Sequence, residues 1–203
     1  MSEVMKERKE KLFSQTKNGY DRINEKDLAS MEAYCVLYRD FLDRGKTERE
    51  CALRTMQLAE ERGFRPYRRG MELAAGDKIY TVNRGKSVML AVKGKKSMAE
   101  GVHIVAAHID APRLDMKPTP LYEDSELAYF KTHYYGGIRK YQWVTIPLEL
   151  RGAVALKDGT LVHVVLGEGN EPKFVINDLL PHLGAEHNKK PLGEAISGES
   201  RNT

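Results

Sequence analysis

The stretch from His103 to Arg113 reads HIVAAHIDAPR. Its apolar run without alternation predicts a short strand buried on both faces, as in the interior of an α/β sheet. Alternate residues of a strand point to the same side, so His108 and Asp110 are expected to present an imidazole and a carboxylate together. Pro112 cannot continue a central ladder, which places the pair where the strand meets a loop. Such a pair supplies two candidate groups for a metal site, because a carboxylate can orient an imidazole ligand of zinc or cobalt, but two candidate ligands alone do not make a metal site.

The composition excludes several classes of function. The chain has 203 residues, of which 41% are hydrophobic and 31% are charged, and this is enough for one domain or two small ones. Its 33 basic and 29 acidic residues are interspersed, so no basic patch indicates nucleic-acid binding. No apolar run reaches membrane-spanning length, and Cys35 and Cys51 alone do not make a secreted disulfide scaffold. We therefore expect a cytoplasmic protein with no nucleic-acid or membrane partner.

The first third of the chain has helical periodicity. Asp27 is the predicted N-cap of a helix that runs through Arg44 and carries an apolar stripe at i, i+3, i+4, i+7 spacing. Thr47 and Glu50 form a capping-box pattern that opens a second helix, which ends at Gly63. Core packing is the expected role of both apolar stripes.

Shorter alternation follows the helices. Residues 78–83 and 87–92 are predicted strands around a hairpin turn. After Pro118 the sequence indicates a β-rich part, with a turn at residues 122–125, a strong turn at residues 157–160 and a short helix at residues 177–183. The predicted strands of this part are residues 142–150, 152–156 and 161–166. We therefore predict an N-terminal α/β domain over residues 1–116 and a β-rich domain over residues 117–203.

Four stretches, in this order and spacing, resemble one enzyme family. They are AAHIDAPRLD at residues 106–115, KTHYYGGIRKYQW at 131–143, LVHV at 161–164 and NDLLPHL at 177–183. Together they resemble the M18 metalloaminopeptidases, the family of aspartyl aminopeptidase, and its bacterial branch in particular. The resemblance covers essentially the whole chain, although each stretch alone is a weak signal.

The resemblance implies an α/β catalytic domain of the zinc-peptidase type, interrupted by an inserted β-rich dimerisation domain. It implies an enzyme that removes N-terminal residues from peptides with two divalent metal ions, usually zinc, with cobalt or manganese as alternatives. His108 corresponds to a ligand of one metal, and Asp110 to the catalytic-site aspartate that orients this ligand. His163 corresponds to a residue that reaches the active site of a neighbouring subunit. Homo-oligomers would form through the insertion domain.

The resemblance also implies that most of the catalytic set lies elsewhere. In the family, the bridging aspartate, the glutamate pair, a further aspartate and the last histidine follow the insertion domain. The pair Glu60-Glu61 precedes His108 on a predicted helix and does not match that set. The expectation is therefore that the chain is the N-terminal portion of such an enzyme, truncated and inactive alone.

Three alternatives stay open at this point. A non-catalytic fragment could act by assembly, pairing with full-length subunits. A simple zinc hydrolase could use His108 with His103, Asp110 or Asp115. Without the family resemblance, His108 would be interpreted as a hydrogen-bonded core histidine.

A separate expectation concerns His133, which is predicted to lie in a loop rich in tyrosine and glycine.

Overall fold

The computed structural model describes residues 3–14, 16–178, 182, 184–186 and 189–195. The chain divides into two compact units, one up to Arg44 and one from Gly45 onward. The predicted boundary between residues 116 and 117 falls inside a strand of the second unit and stays a prediction. No helix in the described ranges is long and apolar enough to cross a membrane.

The first unit is helical. It contains α1 (Glu3–Leu12), a short 3-10 turn and α2 (Glu25–Arg44). The predicted N-cap of α2 at Asp27 is wrong, because the Asn24 side chain accepts a hydrogen bond from the Asp27 backbone amide at 2.9 Å. The predicted burial of its apolar stripe is also wrong, since none of the α2 side chains is buried. A helix buries its apolar stripe only against a second apolar layer.

The second unit begins with α3 (Glu48–Glu60), and here the predicted capping box is confirmed. The Thr47 hydroxyl accepts a hydrogen bond from the Glu50 amide at 3.3 Å, and the Thr47 amide donates to the Glu50 carboxylate at 2.9 Å. Both bonds satisfy donors that the first turn of a helix leaves unpaired. The buried face of α3 consists of Cys51, Ala52 and Ala59.

We expect Thr47→Ala to lower the free energy of unfolding by about 1 kcal/mol, because the Glu50 amide loses its acceptor. Urea denaturation of the purified chain measures this change. Thr55→Ala is the matched control, since the Thr55 hydroxyl donates only to a carbonyl inside the same helix. Equal losses for the two variants would contradict a role of Thr47 as the cap.

A three-stranded sheet packs beside α3. It consists of β1 (Arg65–Pro66), β2 (Lys78–Asn83) and β3 (Ser87–Val92), in that order across the sheet. The predicted hairpin is confirmed residue for residue, and its turn places Arg84 and Gly85 at φ +54° and +67°. Positive φ at both central residues is typical of the tight turns that match strand twist. Tyr80 on β2 completes the buried core and donates to Glu60 at 2.5 Å.

The predicted buried strand at residues 103–109 is wrong in this structure. Residues 101–112 have no regular secondary structure, and Ile104 and Val105 are 80% and 99% exposed. A central strand needs neighbours that satisfy its backbone groups and surfaces that cover both of its faces. Among the described residues, no named strand pairs with this segment.

A long hairpin follows at once, formed by β4 (Arg113–Asp124) and β5 (Leu127–Tyr135). Its register shifts between Met116 and Leu121, where the two prolines of the segment KPTP remove ladder donors. The turn lies at Ser125 and Glu126. Its last residue is therefore one position after the end of the turn predicted at residues 122–125. The predicted loop position of His133 is wrong, because this residue lies on β5 opposite Asp115.

A second hairpin consists of β6 (Leu150–Ala155) and β7 (Leu161–Leu166). The predicted strand 161–166 and the turn before it are confirmed. The strand predicted at residues 142–150 is wrong except for Leu150, since a 3-10 turn ends at Gln142 and only isolated bridges follow. The short helix α4 (Leu192–Ala195) comes last. Most of the helix predicted at 177–183 lies outside the described residues.

Candidate functional site

The candidate site is the end of the irregular segment 101–112, where it enters β4. The His108 side chain is 84% exposed, and its Nδ1 lies 3.0 Å from the Asp110 backbone oxygen and 3.2 Å from the Asp110 Oδ1. The predicted pairing of these two side chains is therefore present. It does not come from the pleat of a strand, because the segment is not a strand here.

These two contacts favour one tautomer of the neutral imidazole. A backbone carbonyl oxygen and an ionised carboxylate oxygen only accept hydrogen bonds, so Nδ1 of His108 is the donor to both. In the neutral ring Nε2 then carries the free lone pair. This is the arrangement in which a histidine binds a metal through Nε2 while an outer carboxylate holds its other nitrogen.

The hairpin β4–β5 positions Asp110. The Tyr135 hydroxyl donates to the Asp110 Oδ2 at 2.6 Å. This bond is the largest of the interactions that lower the pKa of Asp110, and it raises the pKa of Tyr135. Both shifts favour an ionised carboxylate that accepts from a neutral phenol.

Arg113 supports Tyr135 from the neighbouring strand. The two residues are partners in the β4–β5 register, and the guanidinium carbon lies 4.1 Å from the centre of the tyrosine ring. This is a close cation–π contact. The Nε of Arg113 donates to Asp115 at 2.7 Å, which keeps the guanidinium over the ring.

The turn after β5 contacts the segment that carries His108. Gly136 has φ +74°, and a Cβ added there would lie 3.5 Å from Pro112. Together with the bond from Tyr135 to Asp110, this contact joins the end of β5 to the irregular segment.

His163 lies apart from this group of contacts. It is exposed on β7, opposite Ala153 in the register of the β6–β7 hairpin. Its predicted role at a neighbouring active site stays a prediction. Glu60 accepts the Tyr80 hydroxyl, in keeping with a structural role for the pair Glu60-Glu61.

The described residues do not form a complete metal site. No group of three or more histidine, cysteine, aspartate or glutamate side chains is placed to hold a metal ion within them. The simple zinc hydrolase built from His108 with His103, Asp110 or Asp115 therefore lacks support. The donor chemistry fits one ligand, His108, with its outer carboxylate Asp110.

Tyr135 and Arg113 are the two residues that sequence reasoning missed. The run YFKTHYY at residues 129–135 is rich in aromatic and β-branched residues, which favour strands. That signal predicts β5 but not its register. Only the pairing of Arg113 with Tyr135 brings the tyrosine beside Asp110.

Comparison with known proteins gives a consistent family. A probable M18 family aminopeptidase 1 from Clostridium acetobutylicum is 43% identical over 196 residues, covering 94% of this chain and 42% of the relative. One from Thermotoga maritima is 43% identical over 175 residues, covering 84% of this chain and 37% of the relative. The chain thus spans about two fifths of the length of the curated relatives it matches.

Solved structures agree. The crystal structure of an M18 family aminopeptidase from Thermotoga maritima matches 92% of this chain and 40% of its own, with a TM-score of 0.82 and 38% identity. That of aminopeptidase I from Clostridium acetobutylicum matches 93% of this chain and 42% of its own, with a TM-score of 0.76 and 41% identity. These likenesses confirm the predicted mixed fold of helices and strands.

The family model described as aminopeptidase I zinc metalloprotease (M18) matches residues 41–197. This range contains the irregular segment with His108 and both long hairpins. The resemblance inferred from the four sequence stretches is confirmed. The chain belongs to the M18 family of zinc metalloproteases.

Proposed function

We propose that this chain supplies the N-terminal part of a metal-dependent aminopeptidase that removes N-terminal residues from peptides. The observation that carries the proposal is the His108 imidazole, held by Asp110 with Nε2 exposed and free to bind a metal. Membership of a zinc metalloprotease family supports zinc as the metal. We propose further that the site binds a pair of divalent ions. The free Cys35 and Cys51 thiols support a cytoplasmic location.

Each residue of the site has a distinct task in this proposal. His108 would hold one metal ion through the Nε2 lone pair, and Asp110, which accepts the proton of Nδ1, would make the ring a better donor. When bound, the metal pair polarises the peptide carbonyl and lowers the pKa of a water molecule. The other ligands and the general base come from outside the described residues, so we infer that the chain alone lacks peptidase activity.

The β-rich part suits the proposed role in assembly. On β6 and β7, the paired Val154 and Val162 are exposed on one face of the hairpin, and Leu161 is exposed on the other face, which His163 shares. Exposed apolar strands of this kind mark subunit contacts. A homo-oligomer formed through this hairpin would carry His163 toward a neighbouring subunit.

A non-catalytic fragment that pairs with full-length subunits is the second candidate. It is favoured by the absence of a three-donor metal group among the described residues. The same exposed apolar residues of β6 and β7 would serve that pairing.

The two candidates differ in an assay of two proteins. The first is this chain, and the second is the product of the longest reading frame that contains it. Both are loaded with Zn²⁺, Co²⁺ or Mn²⁺ and tested on a peptide with a free N-terminus and on its N-acetylated form. We expect only the longer product to cleave, and only the free peptide. No cleavage by the longer product with any metal would overturn the proposed activity, and cleavage by this chain alone would overturn its inferred inactivity.

A further inference from the structure

We propose that Tyr135 is a positioning residue for His108 and acts through Asp110. The inference rests on the proposed function in one respect, namely that His108 is a metal ligand. It adds Tyr135 of the β4–β5 hairpin to the site and gives this residue a task.

The two oxygens of the Asp110 carboxylate have different partners. Oδ2 accepts the Tyr135 hydroxyl at 2.6 Å, and Oδ1 faces Nδ1 of His108 at 3.2 Å. A carboxylate is planar, so fixing one oxygen fixes the direction of the other. The Tyr135 bond therefore aims Oδ1 at the imidazole.

Loss of the Tyr135 hydroxyl would remove one of the bonds that hold the Asp110 carboxylate. The Asp110 side chain is partly exposed, and the His108 side chain is largely exposed. A carboxylate in such a position turns toward water unless a second bond holds it, since exposed pairs pay the entropy of both side chains. The exposed imidazole would then keep only the bond from Nδ1 to the Asp110 backbone oxygen, at 3.0 Å, so its Nδ1–H form would be less strongly favoured.

Tyr135 is itself held in place by its partner on the neighbouring strand. It lies at the end of β5 opposite Arg113, whose guanidinium lies over its ring. Arg113 is held in turn by Asp115. The hydroxyl therefore points from a paired strand toward a segment that has no ladder of its own.

A simpler role is that the Tyr135 hydroxyl only fastens the irregular segment to the hairpin. Gly136 already lies beside Pro112, where an added Cβ would be 3.5 Å away, and Arg113 already pairs with Tyr135 in the ladder. A fastening role predicts no change in the His108 ring after loss of the hydroxyl, whereas a positioning role predicts one. The protonation of the imidazole nitrogens therefore separates the two roles.

The test is long-range ¹H–¹⁵N NMR of His108 in this chain, at a pH at which the imidazole is neutral. In the wild-type chain we expect the Nδ1–H form, with Nε2 unprotonated. Tyr135→Phe keeps the ring under Arg113 and removes only the hydroxyl, and we expect its His108 signals to move toward the mixture of free histidine. Tyr134→Phe is the matched control, because it removes the hydroxyl of the neighbouring tyrosine and leaves the bond from Tyr135 to Asp110 in place.

An unchanged His108 form in Tyr135→Phe, with circular dichroism equal to wild type, would overturn the proposal. The measurement needs neither metal nor activity, so its failure is distinct from a failure of the proposed peptidase function. In the longer product we further expect Tyr135→Phe to weaken Zn²⁺ binding by about 10-fold, the lower end for loss of an outer partner. Zn²⁺ retention against a competing chelator measures that effect, and a Zn²⁺ affinity equal to wild type would also contradict a positioning role.

Discussion

Under the proposed function, replacing His108 with alanine is expected to remove one metal ion from the active site of the longer product and to abolish the proposed peptidase activity. His108 is an exposed imidazole held through Nδ1, which leaves Nε2 as the proposed donor to the metal. Loss of the ligand itself should cost more than the roughly 100-fold that loss of an outer partner costs. Metal content by mass spectrometry and the rate of peptide cleavage are measured on the same samples.

The control for this prediction is His103→Ala. His103 lies in the same irregular segment and is exposed, so its loss tests for a general effect of removing a histidine there. We expect full metal content and activity for His103→Ala. Full activity of His108→Ala, or equal losses in the two variants, would sink the assignment of His108 as the ligand.

Elements whose signals are local were predicted well. The hairpin of β2 and β3 follows from two alternating runs and a turn that tolerates positive φ. The start of α3 follows from Thr47 and Glu50, which satisfy each other across one helical turn. Both are decided by residues that lie within a few positions of one another.

Elements that need distant partners were not predicted. The apolar run from His103 to Ile109 has the composition of a buried strand, but in this structure its backbone has no ladder and its side chains no cover. No side chain of the apolar stripe of α2 is buried, for the same physical reason. A periodic pattern states what a segment could bury, and only the facing surface decides whether it does.

The candidate site divides in the same way. His108 and Asp110 are two residues apart, and their contact was predicted from that spacing although the expected strand is absent. Tyr135 is 25 residues from Asp110 and reaches it only through the register of β4 with β5. No periodicity along the chain encodes that register.

Removing the charge of Arg151 is expected to destabilise the second unit more than any other single surface change. Its side chain is 14% exposed and donates to Glu50 on α3, to Glu149 and to Glu168 at 2.8, 2.8 and 3.1 Å. Burial opposes the charge, but the bonds to Glu149 and Glu50 outweigh it and raise the pKa of Arg151. The same interaction lowers the pKa of Glu149.

Arg151→Met would leave three carboxylates near one another without their shared cation. We expect the free energy of unfolding to fall by about 2 kcal/mol, less than the ~3–5 kcal/mol of a fully buried pair because solvent reaches part of the cluster. The stability of Arg151→Lys should lie between those of the wild type and Arg151→Met, since lysine keeps the charge but cannot bond three carboxylates from one planar group. Urea denaturation at a pH where all carboxylates are ionised measures both variants.

Two further variants separate the cluster from ordinary surface charge. Glu168→Gln removes the partner that is 65% exposed, and we expect it to cost less than about 1 kcal/mol. The double variant Arg151→Met with Glu50→Gln should be less destabilised than the sum of its single variants, because the stranded carboxylate is gone. Strict additivity, or a change of under about 0.5 kcal/mol in Arg151→Met, would mean that α3 and the β6–β7 hairpin are not coupled through this arginine.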